Sequence, residues 1–276
     1  MNYINASDKN GEEVNLYYED LGAGKPVVLI HGWPLSHVMW EYQVSELVNA
    51  GFRCISYDRR GFGKSSRPLN GYDYDTLADD LKAIIDGLGL TDITLVGFSM
   101  GGGEVVRYFT SHQGTGVTKA VLISSVTPFM LKTDDNPNGV DGSVFDDMMK
   151  KMKEDRIAFL DGFGKDFYGV GMLSSPVIDP YLQNDRNVAA EASPIATMKC
   201  AVSFSHTDFR NEMASVTVPV LLIHGDADKT VPKDASAEEA CKLLPDCIYK
   251  IYTGHPHGLY YTDKEQLNGD LISFIS

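Results

Sequence analysis

Short, largely apolar runs alternate with helical spacings along most of the chain. The runs are typical of strands buried on both faces, and they lie at residues 27–30, 53–57, 93–96, 120–124, 218–223 and 248–252. Apolar residues recur with the period of an amphipathic helix at residues 40–48, about 74–88, 104–109, about 234–244 and from 264 onward. Strands that alternate with crossover helices predict an α/β fold built on a doubly wound, mostly parallel sheet.

Two segments depart from this alternation. Residues 3–6 and 14–19 read as two short strands that are joined through Asn10 and Gly11, a favoured hairpin turn. Residues 128–213 contain helical patterns but no strand pattern, and seven of the ten methionines of the chain lie there. We therefore predict a core domain formed by residues 1–127 and 214–276, with residues 128–213 inserted as a helical cap.

Residues 97–101 match the G-x-S-x-G pattern, with Ser99 at its centre. The buried run 93–96 precedes the pattern and a helical spacing that starts at Glu104 follows it. This context matters because the serine sits on a strained turn whose neighbours two before and two after must lack a side chain. The N-terminus of the following helix favours negative charge. The pattern predicts Ser99 as a nucleophile.

A nucleophilic serine needs a base within hydrogen-bond reach and a carboxylate that orients the base. In parallel sheets such groups gather at the carboxyl ends of strands. Two later strand ends carry candidates, namely Asp226 and Asp228 in one loop and His255 and His257 in the next. The order serine, acid, histidine is that of α/β hydrolases. The pattern favours Asp228 and His257, but it leaves open that their neighbours take these roles instead of capping a turn or facing solvent.

The totals limit the class of protein and its partners. A length of 276 residues suits one α/β domain with an insertion, and 43% hydrophobic residues are ordinary for a globular enzyme. The net charge of -14 argues against nucleic acid or an anionic membrane as a partner, because both repel an acidic surface. Residues 1–13 are polar and lack the apolar core of a signal peptide, and no apolar run approaches the roughly 20 residues that a membrane span requires, so we expect no membrane association.

The cysteines and histidines bear on redox state and metals. The four cysteines form no C-x-x-C pair, which predicts reduced thiols in a cytoplasmic protein; a disulfide between Cys241 and Cys247 is the disfavoured alternative. The seven histidines are dispersed and form no H-E-x-x-H pattern, so we predict no metal site. No G-x-G-x-x-G follows the first strand and no P-loop lysine is present, so we predict no nucleotide, flavin or other cofactor.

Five segments in this order resemble one group of proteins: residues 31–34 (HGWP), 58–66 (DRRGFGKSS), 97–103 (GFSMGGG), 224–228 (HGDAD) and 256–258 (PHG). The chain resembles the cofactor-free, non-haem haloperoxidases (perhydrolases) and the similar bacterial arylesterases of the α/β-hydrolase fold, over nearly its whole length. The resemblance implies the α/β-hydrolase fold with an inserted helical cap. It also implies Asp228 as the acid, His257 as the base and a homo-oligomer.

The resemblance extends to the groups that bind the developing oxyanion. The backbone N–H of the residue after the nucleophile, here Met100, is one expected donor. Family members take the second N–H from the residue that follows H-G, here Trp33. We expect His31 to brace this loop, and residues 58–66 to form a structural turn.

The resemblance also implies which residues line the acyl pocket. Two cap residues and two residues of the core fall where family members line that pocket, and two methionines fall where an arylesterase can carry phenylalanine. Methionine adapts its shape, which suits acyl groups of varied form. A proline after H-G-W is common among members named as perhydrolases, and it restricts the residue before it. The expected pocket residues are Pro34, Val126, Met130, Met148, Phe163, Phe167 and Val231.

The function that the resemblance implies is hydrolysis of small carboxylic esters through an acyl-enzyme. When hydrogen peroxide replaces water, the product is a peracid, which is the cofactor-free haloperoxidase activity. The alternatives on the same triad are a lactonase, a γ-lactamase or a hydrolase of carbon–carbon bonds. A hydrolase-fold binding protein without turnover is a further alternative, disfavoured because Ser99, Asp228 and His257 are all present. Dehalogenases and epoxide hydrolases are disfavoured because they carry aspartate in place of Ser99.

Overall fold

The computed structural model describes residues 2–7, 11, 13–171 and 175–276, and these residues form a single eight-stranded sheet. The strand order is β1-β2-β4-β3-β5-β6-β7-β8, in which β3 to β8 run parallel and β1 and β2 are antiparallel to their neighbours. The strands are β1 (Tyr3–Ser7), β2 (Glu13–Gly22), β3 (Pro26–Ile30), β4 (Arg53–Tyr57), β5 (Ile93–Phe98), β6 (Val117–Ile123), β7 (Val220–Gly225) and β8 (Cys247–Tyr252).

The predicted doubly wound, mostly parallel sheet is confirmed, and each of the six predicted apolar runs overlaps one of its parallel strands, although β6 ends at Ile123, one residue before the predicted end at residue 124. The predicted start at residue 218 differs from the observed start of β7 at Val220. The physical reason is Pro219, which has no N–H to donate and contributes only its carbonyl oxygen, to the Ala120 N–H. The predicted hairpin is present as the antiparallel pair β1 and β2, while Asn10 of its turn lies outside the described residues.

Side chains of alternate residues divide the core into two layers. Val28 and Ile30 of β3 belong to the layer that also contains residues of α2 and α3, whereas Val27 and Leu29 belong to the layer with residues of α1 and α9. This alternation follows from the two-residue period of a strand. The helices outside the inserted segment are α1 (Glu41–Asn49), α2 (Tyr74–Gly87), α3 (Met100–His112), α7 (Ala237–Leu243), α8 (Leu259–Thr262) and α9 (Lys264–Ile275).

Helix α3 begins at Met100, four residues earlier than the predicted start at Glu104. The three glycines 101–103 have no side chains, so they show no apolar periodicity, and the sequence pattern does not indicate that the helix includes them. Close packing requires them: a Cβ on Gly103 would lie 2.5 Å from the Tyr74 ring, and one on Gly101 would lie 2.6 Å from the Ile30 carbonyl oxygen. The glycines thus allow α3 to lie directly on the sheet below Ser99.

The described residues between β6 and β7 form three α-helices, α4 (Gly142–Phe167), α5 (Asp179–Glu191) and α6 (Pro194–His206). Its described residues form no strand, only the isolated bridges Leu131–Val140 and Thr133–Asn136. Helix α4 is kinked at Asp155, whose φ of -153° and ψ of 93° are not helical. Met172 of the predicted methionine-rich segment lies outside the described residues. The division into a core domain and a cap stays a prediction.

The structure contains a disulfide between Cys241 and Cys247, so the prediction of four reduced thiols is wrong for this pair. Cys241 lies near the end of α7 and Cys247 begins β8, and the short turn between them brings their Cα atoms to 5.6 Å. That separation is within the range that a disulfide spans. Cys54 and Cys200 are free and buried. Across the described residues, no helix combines the length and apolarity that crossing a membrane requires.

Candidate active site

Ser99 occupies a sharp turn between β5 and α3. Its φ of 53° and ψ of -117° lie in a region that L-residues rarely adopt. A Cβ on Gly97 would lie 2.5 Å from the Gly101 carbonyl oxygen, so the turn can close only when residue 97 is glycine. The Ser99 N–H donates to the Ile123 carbonyl oxygen of the adjacent strand at 2.8 Å. The turn is therefore anchored to the sheet while its serine side chain projects from it.

The side chains of Ser99, His257 and Asp228 form a hydrogen-bonded line. The Ser99 hydroxyl donates to His257 Nε2 at 3.0 Å, and His257 Nδ1 donates to Asp228 Oδ2 at 2.6 Å. The three residues come from the ends of β5, β7 and β8, at the carboxyl edge of the sheet. All three are buried. This is the geometry in which a neutral imidazole can accept the serine proton.

The surroundings of Asp228 favour its charged form. Burial by itself would raise the pKa of this carboxyl, but the adjacent His257 and His224 outweigh burial and hold the pKa well below its ordinary value. The Asp228 Oδ1 also accepts the backbone N–H groups of Thr230 at 2.9 Å and Val231 at 2.8 Å. Asp228 is thus a fixed carboxylate, with one oxygen held by the backbone and the other by His257.

The two competing residues lie in different environments. Asp226 is exposed, and its Oδ1 accepts the Gly254 N–H at 2.6 Å, which ties together the loops that follow β7 and β8. His255 Nε2 lies 3.3 Å from Asp263 Oδ2. The pair that the structure places in line with Ser99 is therefore Asp228 and His257, and the roles of all these residues remain a proposal.

The backbone of the His257 loop fits tightly against its surroundings. A Cβ on Gly225 would lie 2.1 Å from the His255 carbonyl oxygen, which itself accepts the Ala227 N–H at 3.1 Å. The Gly258 N–H donates to the Phe167 carbonyl oxygen at 2.8 Å, and the Phe167 ring meets the His257 ring edge-on at 4.7 Å. The imidazole is therefore held from the inserted segment as well as from the sheet.

The two predicted N–H donors lie next to the serine. Met100 is the first residue of α3, so its N–H has no partner within the helix. Trp33 is in the loop after β3, and a Cβ on the preceding Gly32 would lie 3.2 Å from the Ser99 Cβ. The Trp33 indole is immobilised, since its Nε1 donates to the Thr197 carbonyl oxygen at 2.9 Å. Both residues therefore lie close to Ser99 in the chain or in space, and their role as N–H donors stays a prediction.

The predicted pocket residues fall into two groups. Pro34, Phe163 and Phe167 line a small cavity between α4, α5 and the loop after β3. The other four residues form a separate apolar cluster with Phe145, and the Val126 N–H of this cluster donates to the Ser99 carbonyl oxygen at 3.3 Å. This second group consists of Val126, Met130, Met148 and Val231.

In the described part of the chain, no group of three or more His, Cys, Asp or Glu side chains is arranged to hold a metal ion. The nearest approach to such a group in the site is His224, whose Nε2 lies 3.3 Å from Asp228 Oδ2 and donates to the Val231 carbonyl oxygen at 2.8 Å. The prediction that the chain uses no metal or cofactor is not tested by these distances.

Sequence reasoning missed a buried ion pair beneath the site. Arg59 Nε donates to Glu104 Oε1 at 2.6 Å, and Tyr57 donates to the other carboxylate oxygen at 2.8 Å. Glu104 lies on α3 five positions after Ser99. The sequence identifies it only as part of a helical pattern, because a glutamate in such a pattern gives no indication of a partner 45 residues away. The pair joins the helix of the nucleophile to the loop after β4.

His31 braces this pair. Its Nε2 accepts the Arg59 backbone N–H at 3.0 Å and its Nδ1 donates to the Gly32 carbonyl oxygen at 2.8 Å. Burial lowers the pKa of His31 to about 3, with the Arg59 charge acting in the same direction, so the ring is neutral and can accept the N–H. These contacts agree with the expected bracing of the loop.

Replacing Glu104 with alanine is expected to lower the free energy of unfolding by about 3–5 kcal/mol, because Arg59 then stays buried without its counter-charge. The measurement is urea denaturation followed by circular dichroism. Asp86→Ala, which breaks an exposed pair with Lys82, is the matched control and should change the free energy by less than about 1 kcal/mol. Equal losses for the two variants would contradict a special cost of the buried pair.

A family model described as the alpha/beta hydrolase fold matches residues 25–264. The chain belongs to the α/β-hydrolase family. Its relatives include a non-heme haloperoxidase of Rhodococcus erythropolis, 39% identical over all of this chain and 99% of the relative. Another is the bifunctional esterase/perhydrolase DCH of Acinetobacter calcoaceticus, 37% identical over the same shares. The crystal structure of a bromoperoxidase from Bacillus anthracis is similar with a TM-score of 0.94 and 44% identity, over 98% of this chain and 99% of that one.

These relatives confirm the resemblance that the five motifs indicate, and they confirm the predicted fold. The likeness spans whole chains, inserted segment included. This α/β hydrolase is therefore an enzyme, as predicted.

Proposed function

We propose that this α/β hydrolase cleaves small carboxylic esters by forming an acyl-enzyme on Ser99. The observation that supports the proposal most directly is the line from the Ser99 hydroxyl through His257 to Asp228, with hydrogen bonds of 3.0 and 2.6 Å. A serine, a base and an orienting acid in that order are the requirements of nucleophilic acyl transfer.

In the first step, Ser99 Oγ attacks the ester carbonyl carbon while His257 Nε2 takes the hydroxyl proton. Asp228 stays ionised, since its pKa is held well below its ordinary value by the neighbouring imidazoles against the effect of burial, and so it stabilises the imidazolium that forms. The N–H groups of Trp33 and Met100 bind the oxyanion as it gains charge. His257 then returns the proton to the departing alcohol, which leaves the acyl group on Ser99.

In the second step, His257 takes a proton from water, the oxygen attacks the acyl carbon, and the carboxylic acid leaves as Ser99 regains its proton. Hydrogen peroxide can take the place of water, and the product is then a peracid. The relatives named as haloperoxidase and esterase/perhydrolase support this second nucleophile. The peracid oxidises halide in solution, so no redox group is needed in the site.

We assign the acyl pocket to the seven residues that the resemblance implies. The ring of Phe167 meets the His257 ring edge-on, and Phe163 packs edge-on against the Trp33 indole at 5.2 Å. Aromatic and methionine side chains of this kind offer an apolar, adaptable surface. A lining of this kind suits a small acyl group rather than a charged one.

The proposal is tested with p-nitrophenyl esters of graded acyl length, each assayed with and without hydrogen peroxide, and with a fluorophosphonate probe that labels an activated serine. We expect rapid turnover of short esters, labelling of Ser99 and a peracid product when peroxide is added. A ring-cleavage diketone, a lactone and a γ-lactam assayed beside the esters test the alternative reactions. Preference for one of these, or no labelling of Ser99, would replace the proposal.

Pro34 is proposed to favour peroxide over water. A proline restricts the residue before it, and a shifted Trp33 carbonyl can accept the additional O–H of hydrogen peroxide. Replacing Pro34 with leucine is therefore expected to lower the ratio of perhydrolysis to hydrolysis about fivefold, the worth of one hydrogen bond. The ratio is measured with one ester at fixed peroxide. An unchanged ratio would mean that Pro34 only stiffens the loop.

We also propose a homo-oligomer and a cytoplasmic location. The first rests on the family resemblance and the second on the absence of C-x-x-C pairs and on the free thiols of Cys54 and Cys200. Light scattering on the purified chain measures the first. Titration of thiols under reducing and non-reducing conditions tests whether the Cys241–Cys247 disulfide exists in the protein as isolated from the cell.

A further inference from the structure

A second buried cluster of polar groups lies beside His257, and the proposed mechanism does not use it. Tyr168 directly follows α4, Asp185 lies on α5 and Tyr260 lies on α8. The Tyr168 hydroxyl donates to Asp185 Oδ2 and also contacts the Tyr260 hydroxyl, which lies 3.3 Å from the same Asp185 oxygen. Both tyrosine side chains are fully buried and Asp185 is 8% exposed. The three groups therefore join three helices at one point.

This cluster touches the turn that carries His257. A Cβ on Gly258 would lie 2.3 Å from the Tyr168 ring, and the Gly258 N–H donates to the carbonyl oxygen of Phe167, the residue before Tyr168. Tyr260 lies three residues after His257, in the first turn of α8. Any shift of Tyr168 or Tyr260 is therefore transmitted to the backbone that directly follows His257.

Helix α5 provides a firm anchor for the cluster. Arg186 Nη1 donates to Asp161 Oδ1 of α4 at 3.1 Å, and Arg156 Nη2 donates to the Ala190 carbonyl oxygen at 2.8 Å.

A buried carboxyl is costly unless it is paired, and the partners of Asp185 among the described residues are two neutral hydroxyls. Strongly perturbed carboxyls of this kind gather at functional sites.

We propose that Asp185 is a positioning residue, which holds the hydroxyls of Tyr168 and Tyr260 and thereby keeps the His257 turn against the end of α4. The inference rests on the proposed role of His257 as the base. Misplacing a reacting group by a fraction of an ångström lowers the rate without preventing binding. The effect of Asp185 therefore falls on kcat, while KM stays nearly unchanged.

The charge state of Asp185 makes the inference testable by pH. Burial raises the pKa of Asp185 to about 6, against the opposing effect of the two tyrosine hydroxyls. Above that pH the carboxylate accepts from both hydroxyls; below it the carboxyl is protonated and loses acceptor capacity. Proton exchange has a path, because Asp185 is 8% exposed and lines the small cavity between α4 and α5. The titratable and charged groups around it are Tyr168, Tyr181, Tyr260, Tyr261, Arg186 and, through Arg186, Asp161.

The decisive experiment measures kcat of the full chain and of Asp185→Asn with one p-nitrophenyl ester across pH. At about pH 8 the native enzyme should be about tenfold faster, because the amide is a weaker acceptor than the carboxylate. At about pH 5 the two should agree within about twofold, since native Asp185 is then protonated as well. A titration that lowers both rates alike cancels in the ratio, so the change of the ratio with pH isolates Asp185.

Tyr168→Phe removes one hydroxyl and keeps the ring, and it serves if the asparagine variant does not fold. It should also lower kcat about tenfold at about pH 8, with KM within about twofold. Tyr108→Phe, which removes a buried hydroxyl bonded to the Thr115 carbonyl oxygen, is the matched control and should leave kcat unchanged. Circular dichroism verifies that each variant is folded.

A ratio that is independent of pH, or unchanged kcat in both variants, would overturn the positioning role. That failure is distinct from failure of the proposed function, because the native enzyme would still hydrolyse esters and be labelled at Ser99 by the fluorophosphonate. If the native enzyme neither hydrolysed esters nor was labelled at Ser99, the proposed function on which the inference rests would instead be wrong.

Discussion

Replacing Ser99 with alanine is expected to lower kcat for p-nitrophenyl ester hydrolysis by about 10⁶-fold, the scale of losing a nucleophile from a serine triad. Alanine has no atom that can form the acyl-enzyme, so the remaining rate comes from the N–H groups of Trp33 and Met100 acting on bound ester. Labelling by a fluorophosphonate should disappear at the same time. Steady-state kinetics and mass spectrometry of the labelled protein measure the two effects.

The control for this variant is Ser205→Ala. Ser205 is also buried, and its hydroxyl donates to the Ala201 carbonyl oxygen at 2.7 Å within α6. It should hydrolyse the ester at nearly the native rate and be labelled fully. A Ser99→Ala enzyme that retained more than about 1% of the native rate would point to another nucleophile or to direct attack by water.

Replacing Asp228 with asparagine is expected to lower kcat by about 10⁴-fold, although the two side chains have the same shape. The reason lies in the two backbone N–H groups, of Thr230 and Val231, that donate to Asp228 Oδ1. They require an oxygen, so the amide nitrogen of the variant must face His257 Nδ1. That nitrogen donates rather than accepts, which places the imidazole proton on Nε2, where it blocks transfer from Ser99.

Asp226→Asn is the matched control, since it lies in the same loop two residues away. Its Oδ1 accepts the Gly254 N–H, and an amide oxygen can do the same, so kcat should stay within about twofold of the native value. Both variants are assayed with one short ester, and the rate of fluorophosphonate labelling is measured in parallel. Equal losses at the two positions would contradict the assignment of Asp228 as the orienting acid.

The strands and the serine turn could be predicted because their signals are local. A run such as 93–96 is buried on both faces, and two glycines spaced around a serine are required by backbone geometry alone. The start of α3 could not be placed as well, since glycines 101–103 show no helical pattern and are required only by contact with β3 and Tyr74.

The groups that depend on distant partners could not be predicted. Nothing in the sequence around Glu104 indicates Arg59, and nothing around Asp185 indicates that the hydroxyls of Tyr168 and Tyr260 meet at one of its oxygens. The expectation of reduced thiols in a cytoplasmic protein disfavours a Cys241–Cys247 disulfide, yet the short turn between α7 and β8 brings these two residues together. In each case the contact forms only when the chain folds. The partners do not follow the helix or strand period along the sequence, so no periodic pattern indicates them.

The alternation of strands and helices, the nucleophile turn and the two loops that could supply an acid and a base follow from the sequence by itself, because each is determined by residues that are neighbours along the chain. Which aspartate and which histidine lie in line with Ser99 is decided by the tertiary structure. The physical reason is that β5, β7 and β8 are parallel and end at one edge, so all the candidates reach the edge at which Ser99 lies and only the path of each loop in space selects Asp228 and His257.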